Sequence, residues 1–175
     1  ISSKGFAKSE IDASPEKVPL SDAVLDWLNY LGIASSIETK DRGKLGHELR
    51  VISSDDKFEH DLTHVGVGVS QVLPILVACL LADPDTLLIV EQPELHLHPR
   101  VQTLLGDFFL AMSLLGKQCL LETHSEYLVN RLRFRIAASI DDSLVESTRI
   151  YFAEKHRGAA DYREIEVNEF GAIQS

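Results

Sequence analysis

Two short apolar runs fix the kind of sheet this chain can build. "LLIV", Leu87 to Val90, contains no polar residue, and "CLL", Cys119 to Leu121, repeats the design. A strand with one wet face alternates apolar and polar side chains. A strand that is apolar throughout belongs in a parallel sheet covered on both faces. Each run ends in a polar cluster, Glu91–Glu94 and Glu122–Ser125, and each is followed by a helical pattern. Pro99 suits the first turn of the helix after the first run. Val101, Leu104, Leu105, Phe108, Met112 and Leu115 give that helix a buried stripe as far as Gly116. Ser125 suits the cap of "EYLVNRLRFRIA". The alternation of strand and helix predicts an α/β fold with a parallel sheet.

The rest of the chain is arranged around this pair. Residues 1–19, "ISSKGFAKSEIDASPEKVP", are polar and suit a flexible lead-in. Val24, Leu25, Leu28 and Leu31 share one face of a helix, with Ser21 as its expected cap and Gly32 as its stop. "SSIETKDRGKLGHELRVIS" suits two short strands around a turn near Arg42–Gly46. A loop follows and ends in "VGVGVSQ", Val65 to Gln71. An apolar helix then runs from Val72 to about Ala82, where "DPD" stops it. The tail suits a hairpin turning at His156–Asp161.

Composition excludes several classes. A net charge of −10 leaves no broad electrostatic surface for nucleic acid or acidic membrane. The run Val72–Ala82 is short of the roughly 20 residues a membrane span needs. Cys79 and Cys119 both sit in apolar runs, as buried thiols of a reducing compartment do. No secretory signal is visible, which points to the cytoplasm.

The chemistry is expected at the strand ends, because ligands of open parallel sheets bind beyond the carboxyl ends of the strands. If the two strands are neighbours, their polar clusters share one crevice. A carboxylate there can hold Mg²⁺ directly or through its waters. A second can orient or deprotonate a water. A histidine can stabilise the charge of a phosphate undergoing transfer. Gly66 and Gly68 would let the backbone approach a ligand, and Ser70 would open a helix whose free N–H groups favour an anion. Pro74 sits awkwardly close to such a start and leaves open a shifted or tightened one.

In this order the pieces resemble the second half of an ABC-type ATPase head, of the branch that includes the RecF, SMC and OLD proteins. "VGVGVSQ" resembles a diverged signature motif, "LLIVEQPE" a Walker B strand, "LHLHP" a D-loop and "ETHS" a switch-histidine loop. Within the branch the chain is most similar to bacterial AAA-family ATPases with a small C-terminal domain of unknown function. The tail from "RIYFAEKHRG" resembles the start of that domain. The resemblance implies a partial P-loop NTPase sheet with flanking helices and a C-terminal hairpin. Residues 20–147 would form the ATPase part and 148–175 the start of the small domain.

By the same resemblance, Glu91 supports the metal and His124 senses the γ-phosphate. Gly66, Gly68, Ser70 and Gln71 contact ATP held by the opposite subunit of a homodimer, and His96 and His98 lie in the D-loop beside it. Two departures matter. Gln92 stands where the catalytic glutamate is usual, and an amide cannot accept the proton, so Glu94 is expected as the base or hydrolysis is slow. No "GxxxxGK[ST]" phosphate loop occurs in the sequence, so an N-terminal ATPase lobe is expected as partner, and this chain alone is expected to turn over no ATP. The resemblance further implies DNA-directed work, in phage defence or DNA repair, with a nuclease as possible partner.

Two other readings stand beside this one. The chain could be a non-catalytic dimerisation or regulatory module. Alternatively, His96 and His98 could bind zinc with Glu91 in a metal-dependent hydrolase. Arg131, Arg133 and Arg135 are expected to complement a helix C-terminus. His47, His60, His64 and His156 are expected at the surface.

Overall fold

Val24, Trp27 and Leu28 recur at helical spacing and are all buried, which sets helix α1, Leu20–Tyr30. The computed structural model to which it belongs describes residues 18–43, 47–53, 59–61, 67–139, 143–156 and 158–174. Ser21 is not the cap of α1. The helix begins one residue before it, the amides of Asp22 and Ala23 donate to the Pro19 carbonyl, and the Ser21 hydroxyl donates to the Asp22 carboxylate. The far end closes as expected. Gly32 takes φ 73°, and the Ile33 amide reaches back to the Leu28 carbonyl.

Strands β1 (Ala34–Asp41) and β2 (His47–Ser53) pair antiparallel as expected, and residues 44–46 of the expected turn lie outside the described residues. A third strand, β3 (Glu59–Asp61), pairs with β2 in a stretch expected to be loop. The apolar helix α2 spans Val67–Leu81, so it starts three residues before Ser70 and contains Pro74. Ser70 therefore lies within the helix and does not open it. Close packing accounts for the early start. A Cβ on Gly68 would lie 3.0 Å from both the His96 carbonyl oxygen and a Leu97 methyl, so only glycine brings the helix this near.

Strands β4 (Leu87–Glu91) and β5 (Gln118–Glu122) form the expected parallel pair, in register from Leu87 opposite Gln118 to Glu91 opposite Glu122. Burial on both faces is not seen. Leu88, Val90, Cys119 and Leu121 pack on the core, whereas Leu87, Ile89 and Leu120 are half exposed or more. The second face of this pair is apolar and uncovered among the described residues.

Helix α3 (Pro99–Leu114) supplies the centre of the core. Its Phe108 is fully buried and meets Trp27 edge to face at 5.0 Å. Its buried Asp107 accepts a 2.6 Å hydrogen bond from the Tyr30 hydroxyl. Buried Lys117 donates to the Cys79 carbonyl in the last turn of α2 at 2.6 Å, where a cation complements the helix end. Burial lowers the Lys117 pKa and raises that of Cys79, and it pushes Cys119 up to about 11.

The chain divides into two units, one up to Leu128 and one from Val129 on, so the division falls inside helix α4 (Glu126–Ala137). The second unit contains most of α4, the short α5 (Ser143–Ser147) and the hairpin of β6 (Ile150–His156) and β7 (Ala159–Ile165). Its tail docks by backbone contact. Gly171, at φ 71°, brings its backbone against the Arg133 carbonyl, where a Cβ would lie 2.3 Å away. Arg133 donates to the Gly171 carbonyl at 2.8 Å, so it holds the tail turn and not the helix end it was expected to complement.

Candidate functional site

The site is built where β4 and β5 stop. Parallel register places Glu91 directly opposite Glu122, and residues opposite one another in a sheet point to the same face. The chain then turns sharply after β4. Gln92 takes φ 44° and His96 φ 59°, a left-handed backbone that side chains other than glycine rarely adopt. Backbone bonds hold this turn. The Gln92 amide donates to the Glu122 carbonyl at 2.8 Å, and the Leu95 amide to the Gln92 carbonyl at 3.1 Å.

The side chains of Gln92, Glu122 and His124 meet at the strand ends. The Gln92 Nε2 lies 3.5 Å from a Glu122 carboxylate oxygen, and the His124 Nε2 lies 3.7 Å from the same oxygen. The His124 imidazole is 77% exposed and the Glu122 side chain 54%. Glu91 is exposed beside them. Glu94 differs from all of these. It is 8% exposed, its Oε1 accepts the His124 backbone amide at 2.7 Å, and its Oε2 is buried with no donor among the described residues.

A second layer ties the two loops together. The Gln102 amide donates to the Leu97 carbonyl at 2.9 Å, and its Oε1 accepts from the Ser125 hydroxyl at 2.6 Å. Ser125 in turn accepts the Leu128 amide at 3.3 Å and so caps α4 as its sequence position suggests. The loop after β4 and the loop after β5 are thus fixed to each other by Glu94 and by Gln102.

The other candidates occupy different places. His98 caps α3, its Nδ1 accepting the Arg100 amide at 3.2 Å. His96 is exposed, and its carbonyl backs onto Gly68. Ser70 and exposed Gln71 lie in the early turns of α2. Gly66 lies outside the described residues, as do the side chains of His47, His60, His64 and His156. Among the described residues no three His, Cys, Asp or Glu side chains converge as a bound metal would need, which removes the zinc set of His96, His98 and Glu91. A magnesium ion asks for less, one or two carboxylates plus waters and substrate phosphates, and Glu91 with Glu122 fits that description. Glu122 is the residue that a motif-by-motif reading undervalues. Its signal was its place at the end of β5, equivalent to that of Glu91 on β4.

Three comparisons bear on this geometry. A family model described as "AAA domain, putative AbiEii toxin, Type IV TA system" matches residues 10–130. No curated protein matches the sequence. Among solved structures, one from work on the structural biochemistry of ATP-driven dimerization and DNA-stimulated activation of SMC ATPases aligns with a TM-score of 0.62. It covers 84% of this chain and 83% of its own, at 12% identity, so the likeness is one of fold.

Proposed function

The chain belongs to the AbiEii-type AAA domain family, and on that premise we propose that it forms the half of an ATP-hydrolysing head that carries the acidic strand ends and the switch histidine. The observation that carries this reading is the register of β4 and β5, which aligns Glu91 with Glu122 and sets His124 beside them. The likeness of fold to SMC ATPases supports it.

In this proposal Glu91 holds Mg²⁺ directly or through its waters, and the ion, when bound, neutralises charge on the phosphates. His124 donates to the γ-phosphate from its exposed position, with its backbone fixed by Glu94. Gly66, Gly68, Ser70 and Gln71 meet ATP held by the opposite subunit, and His96 and His98 lie in the loop beside it. The phosphate grip comes from another lobe, since the 175 residues contain no phosphate loop. Two heads then close around ATP, and hydrolysis opens them.

ATP-driven dimerization and DNA stimulation, the subjects of the SMC ATPase work, support the homodimer and a DNA-directed task here. The toxin–antitoxin description of the family favours phage defence over repair as the setting, with a nuclease as a fitting partner. Among the described residues no helix is long and apolar enough to cross a membrane, and we place the work in the cytoplasm.

The test is Mg²⁺-dependent ATP turnover by the full-length protein with its phosphate-loop lobe. Glu91→Gln should lower kcat on the order of 10²–10³-fold, the loss expected when a group stabilising transition-state charge is removed. The 175-residue chain alone should show no turnover. Wild-type turnover by Glu91→Gln, or robust turnover by the chain alone, would contradict the reading.

A further inference from the structure

A histidine that stands out in solvent cannot be aimed by packing. The His124 imidazole is 77% exposed, and Glu122, itself half exposed, stands 3.7 Å from its Nε2, beyond hydrogen-bond distance. Strand β5 has ended at Glu122, so the sheet no longer holds the backbone at His124. The direction of this ring has to be set from its own backbone.

We infer that Glu94 is the positioning residue of His124, an inference that rests on the ATPase reading above. It fixes the plane of the Thr123–His124 peptide from the buried side, and with it the direction in which the imidazole leaves the chain. The Glu94 Oε1 accepts the His124 amide at 2.7 Å, and the residue is 8% exposed. A hydrogen bond to a carboxylate is about twice as strong as one between neutral groups, and a dry surrounding strengthens it further.

Glu94 can hold a neighbour because it is itself held. Its turn is closed by the Leu95 amide on the Gln92 carbonyl at 3.1 Å and by the Leu97 amide on the Glu94 carbonyl at 3.0 Å. Behind the turn, the His96 carbonyl oxygen and a Leu97 methyl pack so closely on Gly68 that a Cβ there would lie 3.0 Å from each. The Gln102 side chain fastens the Leu97 carbonyl as well. A residue locked in this way by its surroundings can place a reactive group closely. The links made by Gln102 and Glu94 differ in what they hold. Gln102 engages the Ser125 hydroxyl, and Ser125 caps α4, so this link holds the helix. Glu94 engages the amide of His124 itself, so its link holds the ring.

The second oxygen of Glu94 speaks against a role in proton transfer. Oε2 is buried and meets no donor among the described residues. A water giving its proton to Glu94 would have to reach an oxygen closed off from solvent, or displace the His124 amide from the other. A buried carboxylate oxygen without a donor costs more than an apolar side chain of the same size, so stability alone does not account for a glutamate here. A donor aimed at the transferring phosphoryl group does account for it, since a displacement of about 1 Å can cost about 10²-fold in rate.

Steady-state kinetics of the full-length protein test the assignment, with ATP binding measured separately and the denaturant midpoint read for each variant. Glu94→Leu removes the acceptor and should lower kcat roughly 10–10²-fold, with ATP affinity within about threefold of wild type. Glu94→Gln keeps an oxygen for the His124 amide and should stay within about fivefold of wild-type kcat. In a His124→Ala background, Glu94→Leu should change kcat by less than about twofold, because the ring it acts through is gone. In ¹⁵N-labelled protein without nucleotide, the His124 amide proton should move upfield in Glu94→Leu and stay in place in Glu94→Gln. Where Glu94→Leu does not fold, Glu94→Ala takes its place with the same expectations. Wild-type kcat in Glu94→Leu overturns the assignment. So does a Glu94→Gln as slow as Glu94→Leu, the result expected of a general base. Equal losses from Glu94→Leu with and without His124, the result expected of a purely structural role, overturn it too. An unmutated protein that neither binds nor hydrolyses ATP overturns the ATPase reading and this inference with it.

Discussion

The strand pair β4–β5 and the hairpin β6–β7 each have two strands, yet they are held by different means. β4 and β5 turn one face onto Phe108, Trp27 and their neighbours, and their ends are locked by Glu94 and Gln102. β6 and β7 expose Tyr151 and Phe152 on opposite faces and Tyr162 as well, and among the described residues no side chain of either strand is fully buried. In the second unit, order comes from the backbone: the Gly171 turn against Arg133, and the Asn168 side chain accepting the amides of Phe170 and Ala172. Packed side chains can hold a reactive group to within fractions of an ångström, and a packed core resists change. The strand-end chemistry lies in the region built that way.

The largest effect expected from this difference is in the core. Phe108→Ala removes a fully buried ring and should cost about 3–5 kcal/mol, measured by denaturant unfolding of the first unit. A cost below about 1 kcal/mol would mean that the core does not hold the strand pair as described. Gly171→Ala should act in the other region and by another route. The added methyl meets the Arg133 carbonyl at a backbone angle unfavourable to alanine, for a cost of about 1–3 kcal/mol. Hydrogen exchange should show the loss in the amides around Gly171 and in the hairpin, with the β4 and β5 amides unchanged. Equal loosening of both regions would erase the distinction.

The parallel pair was legible because burial leaves a simple trace. Leu87–Val90 and Cys119–Leu121 are apolar runs of strand length, each followed by a helix. The same pattern overstated their covering. Leu87, Ile89 and Leu120 carry the composition of a buried face that the described residues do not cover. The start of α2 was missed because Gly68 looked like loop, whereas its missing side chain serves close packing on His96 and Leu97. The cap of α1 was missed because Ser21 is a good capping residue two positions past the N-cap, Pro19.

At the site, Glu91, Gln92 and His124 were read from their order in the chain, and the β4–β5 pairing brings them together. The distinction between Glu94 and Glu122 could not be read that way. Which carboxylate is buried and which is exposed depends on the turn after β4, and that turn depends on left-handed Gln92 and His96, residue types that give no sign of it. Gln102 and Lys117 were equally silent, since their partners lie on other elements.

The central claim is that the ends of β4 and β5 form one nucleotide-hydrolysing site. Paramagnetic relaxation in the ¹⁵N-labelled full-length protein measures this directly, with Mn²⁺·ATP in place of Mg²⁺·ATP. The amides of Gln92 on one strand end and of Thr123 and His124 on the other should broaden together, and Glu91→Gln should abolish the effect while the hairpin amides stay sharp in both. Broadening confined to one strand end, or seen in the hairpin and not at Gln92 and His124, would contradict the account.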